Sequence, residues 1–270
     1  MGFMAPKIPV AVGLLVVSMT AAGGVVFRET RTLEPTDGGS PVVELLEVSA
    51  TDETCRLVIQ PAGAAGGTPG TWILITLNDA FLVDTARAEL APVQPTDLRP
   101  VDESQPRPSR SAEIRDVTLV EEFSRAGDRL LGRNTRQTAW RLSFTEVREG
   151  VPVIRHEERH EIWSAAPRAG EDSQAWRQWR LSEDAGAGLP STDLREAFEQ
   201  MQAEGLLLRH LVERVIVVEG MTVPRVERLR REMTAIEMRE FPPDYFRLPD
   251  NYTLTEILAP IDDPAAAEER

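Results

Sequence analysis

Apolar and polar residues alternate with a period of two along most of this chain, which predicts a protein built mainly of β-strands. The clearest stretch is Gln137 to Val147. Trp140, Leu142 and Phe144 fall on one face there, and Arg141, Ser143 and Thr145 on the other. Glu149-Gly150 makes a turn, and Val151 to Ser164 returns as a hairpin partner. Ile154 and Ile162 lie on one side of that partner, Val153 and Trp163 on the other. Ile114 to Phe123 and Leu206 to Val218 read as two more long strands. Val42 to Val48, Leu57 to Ile59, Trp72 to Leu77 and Phe81 to Val83 read as shorter ones, with a turn at Asn78-Asp79.

Two stretches change period. Ser173 to Leu181 sets Trp176 and Trp179 one helical turn apart. Ser191-Thr192-Asp193-Leu194-Arg195-Glu196 opens a second helix after Pro190 with N-capping chemistry; Leu194, Phe198 and Met201 form its stripe and Gly205 ends it. Val223 to Met238 is ambiguous. Val223, Val226, Leu229, Met233 and Ile236 fit one face of a helix, and Pro224 suits a first helical turn.

The N-terminus follows another grammar. Lys7 precedes an apolar run, Ile8 to Val17, and small residues follow from Ser18 to Gly24. That order is expected of a secretory signal. Ile8 to Val26 is also just long enough for an uncleaved anchor, although Pro9, Gly13, Gly23 and Gly24 weaken such a helix. The expected organisation is therefore a signal or anchor at 1–28 and a polar leader at 29–40. One domain at 41–257 follows, with a proline-rich loop at 91–111, and a disordered tail at 258–270. The body is expected outside the cytoplasm, in the periplasm or cell envelope, soluble or tethered by an uncleaved N-terminus.

Charge narrows the partners. A net charge of −14 and a pI near 4.8 argue against nucleic acid and against adsorption to anionic lipid surfaces. The single cysteine, Cys55, excludes an intramolecular disulfide and reads as a small buried hydrophobe. No cysteine stands directly after the apolar run, so lipid attachment at a processed N-terminal cysteine has no residue to use.

Catalytic chemistry is thin. His156-Glu157-Glu158-Arg159-His160 matches H-E-x-x-H, which holds zinc when the two imidazoles stand one helical turn apart. The segment reads as a strand, which leaves a zinc hydrolase at His156 and His160 as an alternative only. Gly63 to Gly70 lacks the lysine of a phosphate loop, no G-x-S-x-G elbow is present, and His210 reads as a structural histidine. No cofactor is expected. The aromatics suggest instead an apolar groove lined by Trp140, Leu142, Phe144, Trp163 and Trp176.

Phe246, Pro249 and Tyr252 near the C-terminus, with Glu161-Ile162-Trp163 upstream, resemble motifs of bacterial exported domains related to the LolA/LppX-like lipoprotein-carrier half-barrel. The resemblance implies an α+β fold: a curved antiparallel sheet, a half-barrel, with helices packed on its concave side. It implies a strand at 223–238, against the helical periodicity there, and transfers no catalytic residue. The expected role is a non-enzymatic binding protein for a lipid, a lipidated chain or an envelope partner. A membrane-anchored structural or regulatory adaptor is the remaining alternative.

Overall fold

The computed structural model describes residues 22–34, 40–61, 70–93, 113–148, 150–184, 191–202 and 205–255. Among these residues, twelve strands form one curved, unclosed sheet: β1 Ala22–Glu34, β2 Val42–Ala50, β3 Thr54–Pro61, β4 Thr71–Thr76, β5 Ala80–Asp84, β6 Glu89–Pro92, β7 Glu113–Ala126, β8 Arg136–Arg148, β9 Val151–Ala165, β10 Leu206–Val218, β11 Arg225–Phe241 and β12 Thr253–Leu254. Two helices, α1 Gln174–Asp184 and α2 Thr192–Gln202, are inserted between β9 and β10. The strand order is β12-β6-β5-β4-β3-β2-β1-β11-β10-β9-β8-β7. Every pairing is antiparallel except the short parallel pair β12–β6, so the sheet is mixed at one edge.

The largest departure from expectation concerns the N-terminal region. Residues 22–28, assigned to a signal or anchor, and 29–34, assigned to a polar leader, together form β1. This strand lies between β2 and β11 and joins the two halves of the sheet. Val25, Val26 and Phe27 are at most 1% exposed. Gly24 is required by close packing, because a Cβ there would stand 2.4 Å from the Ala50 carbonyl oxygen and 2.8 Å from the Phe241 ring. Residues 1–21 lie outside the described residues, as do the glycine-rich 62–69 and the tail at 258–270.

Two further boundaries shift. The proline-rich stretch was expected to leave the sheet at residue 91. Ala91 instead lies in β6 and pairs with Leu82 of β5, and Ala91 and Val93 are buried. Residues 225–241 form a strand, paired with β1 and β10, so the resemblance outweighs the helical spacing. A bulge at Thr234, opposite Arg28/Glu29, moves the apolar residues of β11 out of strict alternation. Met233 and Ile236 therefore reach the same core cluster although three residues separate them, which is the spacing of a helix.

Both helices pack on one face of the sheet. α1 places Ala175, Trp176 and Trp179 against Val25, Phe27, Leu46, Val48, Leu57, Ile73 and Ile75. α2 places Leu194, Ala197, Phe198 and Met201 against Trp140, Leu142, Phe144 and Ile162. On the opposite face, Phe246, Leu248 and Tyr252 cover Val58, Trp72, Leu74, Val83 and Leu90. Two of the three C-terminal residues that carry the resemblance, Phe246 and Tyr252, thus act as a strap over the back of β3–β6. Arg56 sits between Trp72 and Tyr245, its guanidinium 4.2 and 4.8 Å from the two rings.

Candidate functional site

Residues paired across neighbouring strands share a face, so the registers define the floor beneath the helices. Along β8 it presents Trp140, Leu142, Phe144 and Glu146. Along β9 it presents His160, Glu158, His156 and Ile154, each opposite the corresponding β8 residue. Val212, Arg214 and Ile216 continue it on β10, and Leu229, Glu227 and Arg225 on β11. On β1 the same alternation runs Val25, Phe27, Glu29, Arg31. A charged strip therefore crosses the floor between two apolar clusters.

At the α1 end the strip is fully buried. Arg31 donates two hydrogen bonds to Glu183 of α1, at 2.5 and 3.0 Å, and one to Glu29 at 3.0 Å. Arg180 of α1 lies 3.3 Å from Glu29, and Arg231 of β11 lies 3.6 Å from Glu183. Burial alone would raise the pKa of Glu29; the charges of Arg180, Arg31 and Arg231 outweigh it and hold the carboxyl below the usual range. Glu44, beside Arg31 on β2, shifts the other way. Burial raises it, and the nearby Glu183 charge adds to that.

Farther along, His160 bonds through Nδ1 to His210 Nε2 at 3.0 Å and through Nε2 to Glu158 at 2.9 Å. Arg214 donates to the other Glu158 oxygen. Burial would raise Glu158, but Arg214 and His160 hold it well below the usual carboxylate range. His160 also meets α2, packing edge-on to Phe198 with centroids 5.7 Å apart. At the hairpin end of β8–β9, His156 Nε2 bonds Glu146 at 2.8 Å and stacks on Phe144 at 4.3 Å.

The expected groove is divided by this geometry. Trp140, Leu142 and Phe144 come together as one floor, at most 9% exposed and covered by α2. Trp176 belongs to α1 and the other cluster. Trp163 pairs with Gln137 and Arg209 on the opposite face, against the Arg209 guanidinium, so it lines no common groove with Trp140. The alternation that places Ile162 inward necessarily turns its neighbour Trp163 outward.

The zinc alternative is also corrected. The H-E-x-x-H segment lies within β9, where His156 and His160 share a face with Glu158 between them, each bonded to different partners. Glu157, which a zinc hydrolase would use, points away and pairs with Arg155. Among the described residues, no group of three His, Cys, Asp or Glu side chains is placed to hold a metal ion. Cys55 is fully buried beside Ser173, and burial pushes its thiol up to about 12, which makes it unreactive.

The buried charges were not singled out in the sequence, although a signal was present. Glu29 and Arg31 continue the alternation of Val25 and Phe27, so a strand beginning at Ala22 would have aimed them inward. Glu158 and His160 likewise lie in phase with Ile154 and Ile162.

The site defines a class: an open single-sheet protein with a charged strip and two apolar clusters under two helices. No family model matches the chain, and no curated protein does. Among solved structures, PNGF-II is similar at 13% identity and a TM-score of 0.34, over 87% of this chain and 31% of that one. The chain thus spans about a third of PNGF-II. A crystal structure described as an outer membrane lipoprotein-sorting protein domain, from Vibrio parahaemolyticus, is similar at 7% identity and a TM-score of 0.28, over 80% of this chain and 85% of that one. A DUF1329 family protein from Desulfovibrio piger is similar at 7% identity and a TM-score of 0.25, over 81% and 86%.

Proposed function

We propose that this chain is an exported, non-enzymatic binding protein of the cell envelope that holds a lipid or lipidated chain between α2 and the β7–β9 floor. The helix-covered face would be the concave side of a half-barrel. One observation carries the reading: the two helices are held differently. Ion pairs fasten α1 to β1, whereas α2 meets its floor through Leu194, Ala197, Phe198 and Met201. An acyl chain offers Trp140, Leu142 and Phe144 the same apolar contact that α2 supplies, so exchanging one for the other exposes little apolar surface to water.

The N-terminus favours cleavage over anchoring. With Val25 and Val26 in the sheet, the apolar stretch left for a span is Ile8 to Ala21. As a helix it would reach about 21 Å, short of the roughly 30 Å hydrocarbon core.

Native mass spectrometry of protein purified from the envelope tests both points. The expected spectrum shows a chain beginning near residue 22 that carries a lipid mass removable by solvent extraction. A spectrum of bare protein only, unchanged when the delipidated protein is mixed with long-chain lipids, overturns the carrier reading.

A further inference from the structure

At the hairpin end of the strip, the Glu146–His156 pair leaves polar atoms unbonded. His156 Nε2 is bonded to Glu146 Oε1 at 2.8 Å. The other two polar atoms of the pair, His156 Nδ1 and Glu146 Oε2, are buried and have no hydrogen-bond partner among the described residues. Glu146 is only 3% exposed. Leaving such groups unpaired is costly, and the cost is greatest for a carboxylate oxygen. The pair adjoins the apolar floor: Phe144, which α2 helps to bury, stacks on the His156 imidazole. His156 keeps 12% of its side chain accessible, so the pair lies just beneath the surface at the hairpin end of the floor.

The geometry points to Glu146 and His156 as the subsite for a hydroxyl-bearing head group of a bound lipid. This deepens the carrier reading and rests on it. With a neutral imidazole, Nε2–H donates to Glu146, which leaves Nδ1 and Glu146 Oε2 as two bare acceptors. With an imidazolium, Nδ1–H is a donor and Oε2 remains an acceptor. A hydroxyl both donates and accepts, so a head-group hydroxyl placed at Glu146 Oε2 or at His156 Nδ1 satisfies that atom in either state. A carboxylate head only accepts. It would meet Glu146 as a like charge in a buried place, and so it is selected against. The acyl chain would run from this point along Phe144, Leu142 and Trp140.

The test is competitive native mass spectrometry of the delipidated full chain with 1-monooleoylglycerol, oleate and free glycerol. The wild type is expected to prefer monooleoylglycerol over oleate by about tenfold, the scale of one hydrogen bond to a charged group. Glu146→Gln, nearly isosteric, and His156→Phe, which keeps an aromatic ring on Phe144, should bring that ratio close to one while oleate binding persists. Circular dichroism establishes that each variant is folded, and Glu146→Gln alone suffices should His156→Phe fail to fold. Equal binding of the two lipids by the wild type, or a ratio unchanged in Glu146→Gln, overturns the subsite and leaves the carrier reading intact. Binding of neither lipid overturns both. Glycerol binding without either lipid overturns the lipid source of the hydroxyls.

Discussion

The two helices rest on one sheet face but are held by opposite means, and the difference separates what is structural from what is available for binding. α1 is fixed at both ends. Its first turn is tied to the β2–β3 loop, where the Asp52 carbonyl accepts from Ala175 N–H and the Asp52 carboxylate from Gln174 N–H. Its last turn carries Glu183 into the Arg31 guanidinium. Neighbouring structure adds to this: Glu171, just before α1, pairs with Arg133 in the β7–β8 connection. α2 is an amphipathic helix whose buried residues are all apolar. A charge cluster demands one geometry, because its members have no equivalent partners elsewhere. An apolar contact can be replaced by any apolar surface of similar shape. α1 thus defines the fold, and α2 is the element that can yield to a ligand.

The strongest way to break this comparison is to remove one member of the charge cluster. Arg31→Ala removes the three hydrogen bonds that Glu183 and Glu29 accept in a buried place, leaving them only the longer contacts to Arg231 and Arg180, and should cost about 3–5 kcal/mol of unfolding free energy. Replacing Arg31 by Met together with Glu183 by Leu removes one charge of each sign. That pair should recover most of the loss, since apolar replacements of buried ion pairs are often close to neutral. Urea denaturation of the three proteins is the measurement. If Arg31→Ala loses less than about 1 kcal/mol, α1 is not held by its charges and the contrast fails.

The next test addresses α2. Phe198→Ala removes the ring that packs on His160 and on the floor. A buried Phe truncation typically costs about 3–5 kcal/mol when the whole protein must unfold with it. Here the loss in global stability should be smaller, about 1–2 kcal/mol, because α2 can open as a local unit. Hydrogen exchange followed by mass spectrometry should show amides of 192–202 exchanging well before those of 174–184 in the wild type, and earlier still in Phe198→Ala. Equal protection of the two helices would remove the reason to treat α2 as the yielding element.

The same contrast explains what could be read from the sequence. Strands β8 and β9, the stripe of α2 and the apolar floor were legible because each follows a single period over ten or more residues. β1 was hidden for a physical reason: an apolar, small-residue stretch after a basic start satisfies the grammar of an export signal and that of a core strand equally well, and Gly23-Gly24 resembles a cleavage region. Only the partners distinguish them, Val25 opposite Ala50 and Met238, and those lie far away in sequence. Grouping the aromatics as a set rather than by face misplaces Trp163, which the alternation of β9 turns to the side opposite Trp140. The charge cluster was invisible because Glu29, Arg31, Glu183 and Arg231 meet only through long-range pairing.

Acid sharpens the comparison most finely. Glu29 and Glu158 are held below the ordinary glutamate value of 4.5. A carboxyl that ionises more readily folded than unfolded contributes stability that is complete above that value and is lost as pH falls through its lower folded value. Thermal unfolding should therefore show a falling midpoint below about pH 4.5, with near-ultraviolet signals of Trp176 and Trp179 affected through α1. Glu44 has the opposite sign. Its pKa is raised by burial, so its contribution is present at low pH and is lost as pH rises through the folded value. Glu44→Gln removes a charge that the folded state disfavours. It should raise the unfolding midpoint slightly near neutral pH and have no effect at pH 3, where the wild-type carboxyl is already protonated. A gain that persists at pH 3 would assign the effect to packing, and a loss at neutral pH would mean that Glu44 belongs to the ion-pair cluster as a needed partner of Arg31.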